Sequence, residues 1–279
     1  MQSQATTTAT PDTTPAQWSR LLIEAVSKPA LLLAAYSAFH NYSIGNQVLA
    51  LVQCQQREIQ PGPLATFPGW KEKGRFVRKG EKALVLCMPV TVKSKDETHD
   101  EQRFTRFIYR PRWFVLSQTE GQDLEPSLPP TWEKARALAA LDITETPFEL
   151  LDGNTQGYAK GRSVSISPLA ALPHKTLFHE LAHVTLGHTA EGQTHDGEQT
   201  PRNLKEVEAE AVALILCETL ELPGSMYARG YLQNWLQGES IPERSAQKIF
   251  HAADVIIRAG STNMGQVNQQ RGDLVLNGQ

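Results

Sequence analysis

Apolar positions recur at helical spacing over the first part of the chain. Residues 16–27, 29–39 and 43–56 each gather their aliphatic residues on one stripe; in the third, Ile44, Val48, Leu49, Leu51 and Val52 form it and Ser43 stands at the capping position. From Leu64 the period changes. Pro61-Gly62-Pro63 and Pro68-Gly69 punctuate the chain, and alternating or β-branched runs at 83–92 and 104–116 predict strands. The charged stretch 93–102 between them is expected to be a hairpin loop. Residues 117–130, rich in Gln, Gly, Pro and acid, read as a connection. Beyond it come a helix over 132–140 and strand candidates at 148–151, 157–160 and 163–166. An apolar helix around Lys175–Val184 stops at Gly187, and a polar loop follows to Asn203. A second apolar helix enters through Thr200-Pro201, an aromatic segment carries Tyr227, Tyr231 and Trp235, and an amphipathic helix spans 242–259. Strands first and helices afterwards is an α+β order.

With 279 residues, the chain has room for two ordinary domains. The pattern divides it into a disordered Thr/Pro-rich leader (1–14), a helical and β domain (15–118), a linker (119–131), a second domain (132–260) and a flexible Asn/Gln/Gly tail (261–279). The leader has no basic start and no apolar core, so a secretory signal is not expected. No apolar run approaches the roughly 20 residues that span a bilayer, so the expected location is cytoplasmic, with no membrane partner. Cys54, Cys87 and Cys217 are widely spaced among apolar neighbours and read as reduced packing residues. The net charge of −3 hides an asymmetry: residues 1–130 hold 15 Lys and Arg against 12 Asp and Glu, leaving 12 against 18 for the remainder. The two parts carry opposite net signs, as if they served different partners.

His179-Glu180-Leu181-Ala182-His183 is the strongest chemical signal. Residues four apart on an α-helix lie about 40° apart and one turn above each other, so both imidazoles can reach one metal ion. Glu180 lies beside the first ligand, where it can take a proton from a metal-bound water. Catalytic zinc keeps three protein ligands and an open position. The helix that follows, Lys205-Glu206-Val207-Glu208-Ala209-Glu210, can supply the third. Glu206 and Glu210 share a face and Glu208 points elsewhere. Glu206 is therefore the preferred ligand and Glu210 the acceptor for the free N–H of a liganding histidine, with Glu208 and Glu210 as alternative ligands. His188, His195 and His174 read as exposed loop histidines. Zn²⁺ is the expected ion and Mn²⁺ an alternative.

Trp70-Lys71-Glu72-Lys73-Gly74-Arg75-Phe76-Val77-Arg78-Lys79-Gly80-Glu81-Lys82 interleaves six cations with aromatic rings. Cations neutralise phosphates and rings stack on unpaired bases, a combination suited to single-stranded nucleic acid. Tyr42, Trp70, Lys71, Lys73, Arg75, Arg78, Lys79 and Lys82 are the candidate contacts, and Tyr109, Arg110, Arg112 and Trp113 could extend the surface. A charged hairpin over two core aromatics has the same composition.

Three blocks, Phe39-His40-Asn41-Tyr42-Ser43-Ile44-Gly45-Asn46-Gln47, the Trp70–Lys82 stretch and Phe114-Val115-Leu116-Ser117-Gln118-Thr119-Glu120-Gly121, resemble the N-terminal domain of ArdC-type antirestriction proteins. Lys175–His183 with Glu206-Val207-Glu208-Ala209-Glu210 is similar to that family's C-terminal zincin-like part. The resemblance implies a single-stranded-DNA-binding domain joined to a metallopeptidase-like domain that protects incoming mobile-element DNA. It also leaves room for a protein substrate such as a restriction-system or host DNA-processing component. A protection protein whose metal is structural is the alternative. A two-metal nuclease lacks its carboxylate clusters here, and the deaminase pattern with P-C-x-x-C is absent.

Overall fold

The computed structural model describes residues 17–94, 102–125, 127–150, 154–189 and 201–262. Three helices come first, α1 (Trp18–Ser27), α2 (Leu31–Phe39) and α3 (Ile44–Gln56). Strand β1 (Leu64–Thr66), helix α4 (Phe67–Glu72) and strand β2 (Arg75–Val77) lead to a long antiparallel hairpin, β3 (Leu84–Ser94) and β4 (Gln102–Val115), and then to β5 (Thr119–Gly121). The order β1-β4-β3 makes one sheet and β2-β5 a second. After α5 (Lys134–Ala140) a third sheet has the order β6-β8-β7, built from β6 (Thr144–Glu145), β7 (Gly157–Lys160) and β8 (Ser163–Ile166), with β6 parallel and β7 antiparallel to β8. Helices α6 (Pro173–Thr185), α7 (Arg202–Thr219), α8 (Ser225–Leu236) and α9 (Glu243–Gly260) complete an α+β fold. Among the described residues, no single helix is long and apolar enough to cross a membrane.

Helix α7 is the centre. Every residue from Val207 to Thr219 is buried, including three carboxylates, Glu208, Glu210 and Glu218. A buried carboxylate is costly unless it is paired, and each of these has a basic partner: His188, Lys175 with His179, and Arg229 respectively. Residues of α1, α2 and α3 share one continuous buried cluster with α6, α7 and α9.

The starts of the first three helices are held by carboxylates from the last part of the chain. A helix begins with N–H groups that have no partner inside it, and a carboxylate there also meets the positive end of the helix dipole. For α1, the N–H groups of Trp18 and Ser19 donate to Glu243 Oε1 and Oε2 at 2.8 and 2.9 Å. Leu32, in the first turn of α2, donates to Glu218 Oε1 at 3.1 Å, and Ile44 of α3 to Asp254 Oδ1 at 3.3 Å. Ser43 therefore stands at the cap of α3 without a side-chain capping bond, contrary to expectation. Glu218 also pairs with Arg229, whose Nη1 donates to the Ala25 carbonyl at 2.8 Å and to that of Val26.

Several other expectations change. Pro29 lies outside α2, which starts after Ala30 in a left-handed conformation (φ 64°). Pro68-Gly69 sits inside α4, because the Thr66 hydroxyl accepts from the Gly69 N–H and proline is tolerated in a first turn. Residues 148–150 are not a strand; Thr144–Glu145 takes the place beside β8 instead. The 117–130 segment opens with the 3₁₀ turn Leu116–Gln118 and then β5, which pairs with β2. Thr200 lies outside the described residues, and Pro201 is the cap of α7. The leader 1–14, most of the 93–102 loop, most of the polar loop and nearly all of the tail also lie outside them. Cys54, Cys87 and Cys217 are free and buried.

Candidate functional site

Helix α6 begins with Pro173 at a position where a missing N–H costs nothing, and buries Leu177, Phe178, Leu181, Ala182 and Val184. Its approach to the third sheet is close: a Cβ on Gly157 would meet the Thr176 methyl at 2.6 Å, so glycine is required there. The other side of α6 packs on α7. Across that contact His179, His183 and Glu206 bring one ligand atom each to within 4.8 Å of one another. The two Nε2 atoms are 3.1 Å apart, and Glu206 Oε2 lies 3.4 and 3.7 Å from them. Ligands held about 2.0–2.1 Å from a tetrahedral ion stand about 3.4 Å from each other, so two imidazoles and a carboxylate at these spacings fit such an ion. Glu206 is 42% exposed, which leaves one side of the group open to solvent.

Behind the three donors lies a set of hydrogen bonds. Glu210 Oε2 is 3.0 Å from His179 Nδ1, and Lys175 Nζ holds both oxygens of Glu210, at 2.7 and 2.9 Å. On the other arm His183 Nδ1 lies 3.0 Å from His188 Nδ1, and His188 Nε2 lies 2.9 Å from Glu208 Oε2. His188 is thus not an exposed loop residue, since its side chain is only 6% exposed. The cause is the way α6 ends. Gly187 adopts φ 76°, its N–H donates to the Val184 carbonyl and that of His188 to the His183 carbonyl at 2.8 Å. This paired closure folds the residue after the glycine back over the one five before it. His174 is exposed, and His195 lies outside the described residues.

The charges are strongly coupled. Burial alone would lower the His179 pKa, but hydrogen bonds to Glu206 and Glu210 and the charges of Glu180 and Glu210 raise it from 6.5 to about 9. Burial, with the charge of His179 next, lowers His183 to about 4. Burial pushes the Glu180 carboxyl up to about 7 against the opposing charge of His179, with Glu206 adding to the rise. Tyr231 on α8 stands close enough that Glu206 and Glu210 add to burial in raising its hydroxyl.

The N-terminal candidates separate into two groups. Trp70 is 1% exposed, and its Nε1–H donates to the Phe114 carbonyl at 2.8 Å. Tyr42 is buried with its hydroxyl on the Leu64 carbonyl. Arg75 is buried too, its Nε donating to Thr119 Oγ1 at 2.8 Å and its other nitrogens to the Thr119, Gly121 and Gln122 carbonyls. These three hold β1, β2, β4 and β5 together and present no surface to a ligand, a correction to their expected role. Lys71, Lys73, Arg78, Lys79 and Lys82 are exposed, with Arg78 paired to Glu81 at 3.1 Å. The exposed rings beside them are Phe67 and Phe76, each 55% exposed; Trp113 is buried.

Residues 13–121 match the family model described as the N-terminal domain of anti-restriction factor ArdC. No curated protein sequence matches the chain. Two crystal structures of the antirestriction ArdC protein from the R388 plasmid share its fold. The metal-free one has a TM-score of 0.53 at 20% identity, covering 87% of this chain and 94% of that one. The Mn(II)-bound one has a TM-score of 0.52 at 19% identity, covering 89% and 99%.

Proposed function

We propose that this chain, whose residues 13–121 match the ArdC N-terminal family model and whose fold resembles that of the R388 ArdC structures, is an antirestriction-type protein with two working parts. One is a single-stranded-DNA-binding surface in the N-terminal domain; the other is a zincin-like metallopeptidase centre on α6 and α7. Together they protect incoming mobile-element DNA in the cytoplasm, and the peptidase part would act on a restriction-system or host DNA-processing protein.

The observation that carries the metal reading is the spacing of His179 Nε2, His183 Nε2 and Glu206 Oε2. Two imidazoles and one carboxylate with an open side are the donor set of catalytic zinc, and the R388 relative's Mn(II)-bound structure supports a divalent ion in this fold. A bound ion would supply the Lewis acidity that brings a coordinated water toward neutral pKa and polarises a carbonyl. Glu180, with its carboxyl near 7, is matched to taking a proton at neutral pH and returning it to a leaving amine. Glu210 orients His179, and Lys175 balances the charge of Glu210.

For DNA, the exposed Lys71, Lys73, Arg78, Lys79 and Lys82 would meet phosphates while Phe67 and Phe76 offer faces to bases.

Glu180→Gln tests the reading. It keeps the three donors and removes the base, so metal uptake and oligonucleotide binding should persist while hydrolysis of a general protein substrate falls by about 10²-fold or more, the lower end of what a positioned acid–base group contributes. Undiminished cleavage by that variant would sink the mechanism. Antirestriction that survives the substitution, with no cleavage by the wild type, would support a protection protein with a non-catalytic ion.

A further inference from the structure

We infer that His188 and Glu208 are positioning residues that fix the tautomer of His183, so that its Nε2 stands bare toward His179 and Glu206; this rests on the metal reading above. Nothing in an imidazole alone dictates which nitrogen carries the proton, and the partner of one nitrogen decides the state of the other. On the His179 arm the rule is direct: Glu210 offers only acceptor oxygens, so Nδ1 carries a hydrogen, and Nε2 is the nitrogen a metal ion would take on displacing any proton there.

Among the described residues, no carboxylate stands against His183 Nδ1. Its neighbour there is another imidazole nitrogen, His188 Nδ1, and two nitrogens 3.0 Å apart need one hydrogen between them. The far end of the pair supplies the direction. Glu208 is 1% exposed and offers acceptor oxygens 2.9 Å from His188 Nε2, so that nitrogen donates. With its ring hydrogen directed to Glu208 through Nε2, His188 presents its Nδ1 lone pair, which accepts from His183 Nδ1–H. The chain from Glu208 through His188 to His183 therefore delivers the nitrogen state that Glu210 gives His179 in one step. It is built from separate elements. Glu208 lies about 200° around α7 from Glu206, and His188 reaches across because the turn at Gly187 returns it to His183. A buried carboxylate and a buried imidazole together at the back of one ligand serve orientation, since neither reaches the open side where Glu206 lies.

The test uses the full chain with ¹⁵N-labelled histidine, free of metal and then titrated with Mn²⁺. Long-range ¹H–¹⁵N spectra should show His183 of the wild type with its hydrogen on Nδ1. His188→Leu removes both hydrogen bonds, and His183 should then sample both tautomers while Mn²⁺ affinity falls about 10- to 100-fold, the range expected when a ligand loses its outer partner. His188→Gln supplies one acceptor and one donor and should recover most of that loss. Wild-type His183 carrying its hydrogen on Nε2 overturns the proposal, as does a Leu variant with unchanged tautomer and affinity. If His188→Leu does not fold, the wild-type spectrum still decides. A wild type with the Nδ1–H form but no Mn²⁺ uptake would instead overturn the metal reading and leave the orientation standing.

Discussion

Arg75 and Lys79 stand four residues apart in one basic stretch and do opposite work. Arg75 spends its guanidinium on Thr119, Gly121 and Gln122, inside the contact between β2 and β5, whereas Lys79 is exposed on the turn that follows. Arg75→Ala is therefore expected to cost about 1 to 3 kcal/mol of stability, the penalty for orphaning buried acceptors, readable as a lower denaturant midpoint. Lys79→Glu should leave the midpoint unchanged, weaken oligonucleotide binding and reduce the salt dependence by about one counterion. A Lys79 variant that binds with unchanged salt slope would remove this residue from the surface. Sequence gives both residues the same charge, and only the pairing of β2 with β5 tells them apart. Trp70 and Tyr42 repeat the lesson, since an aromatic ring reads alike whether it stacks on a base or on the core. His188 is hidden for a different reason: Gly187 is legible as a helix stop, but the stop also determines where the next side chain goes.

Among elements, the long apolar helices and the β3–β4 hairpin were legible because many residues repeat one period. The two- and three-residue strands β1, β2, β5 and β6 were not, since so few positions carry no period and their partners are remote in sequence. Helix α7 shows a further limit. Its apolar run marks it as buried, but a helix enclosed on all sides has no polar face to say which carboxylate meets which neighbour. Glu218 illustrates the consequence: it meets Arg229 and the start of α2 at once. Arg229→Met leaves that carboxylate buried without its cation and should cost about 3 to 5 kcal/mol. Combining Arg229→Met with Glu218→Gln should recover part of it, and calorimetric melting of the two single variants and the double variant measures the coupling. Additive losses would mean that the pair contributes no interaction of its own.

For the molecule as a whole, the titratable groups of the candidate metal site link stability to pH. His179 in the metal-free protein is held charged up to about 9, above its ordinary 6.5, so its favourable contribution is complete below 6.5 and disappears as pH rises through 9. Glu180, raised to about 7, has the same sign between 4.5 and 7. Glu206 and Glu210, both lowered, act oppositely and weaken the fold only on acidification. A metal ion needs His179 neutral and displaces its proton. The melting temperature gained on adding Mn²⁺ should thus grow from about pH 6 to about pH 9, because the proton that the ion displaces from His179 becomes easier to remove as pH rises toward that value. A gain that shrinks over that range would contradict the assignment of His179 as a ligand.

The carboxylates of Glu218, Glu243 and Asp254 that close the first turns of α2, α1 and α3 bear on how such a protein can be reshuffled. The family domain ends at residue 121, yet three of its helices begin on acids supplied more than 90 residues later. Recombination at that boundary would exchange a sequence module without exchanging a folding module. A graft of the first 121 residues onto a foreign partner would leave these three helix starts without their acids unless the partner brought acids to the same places.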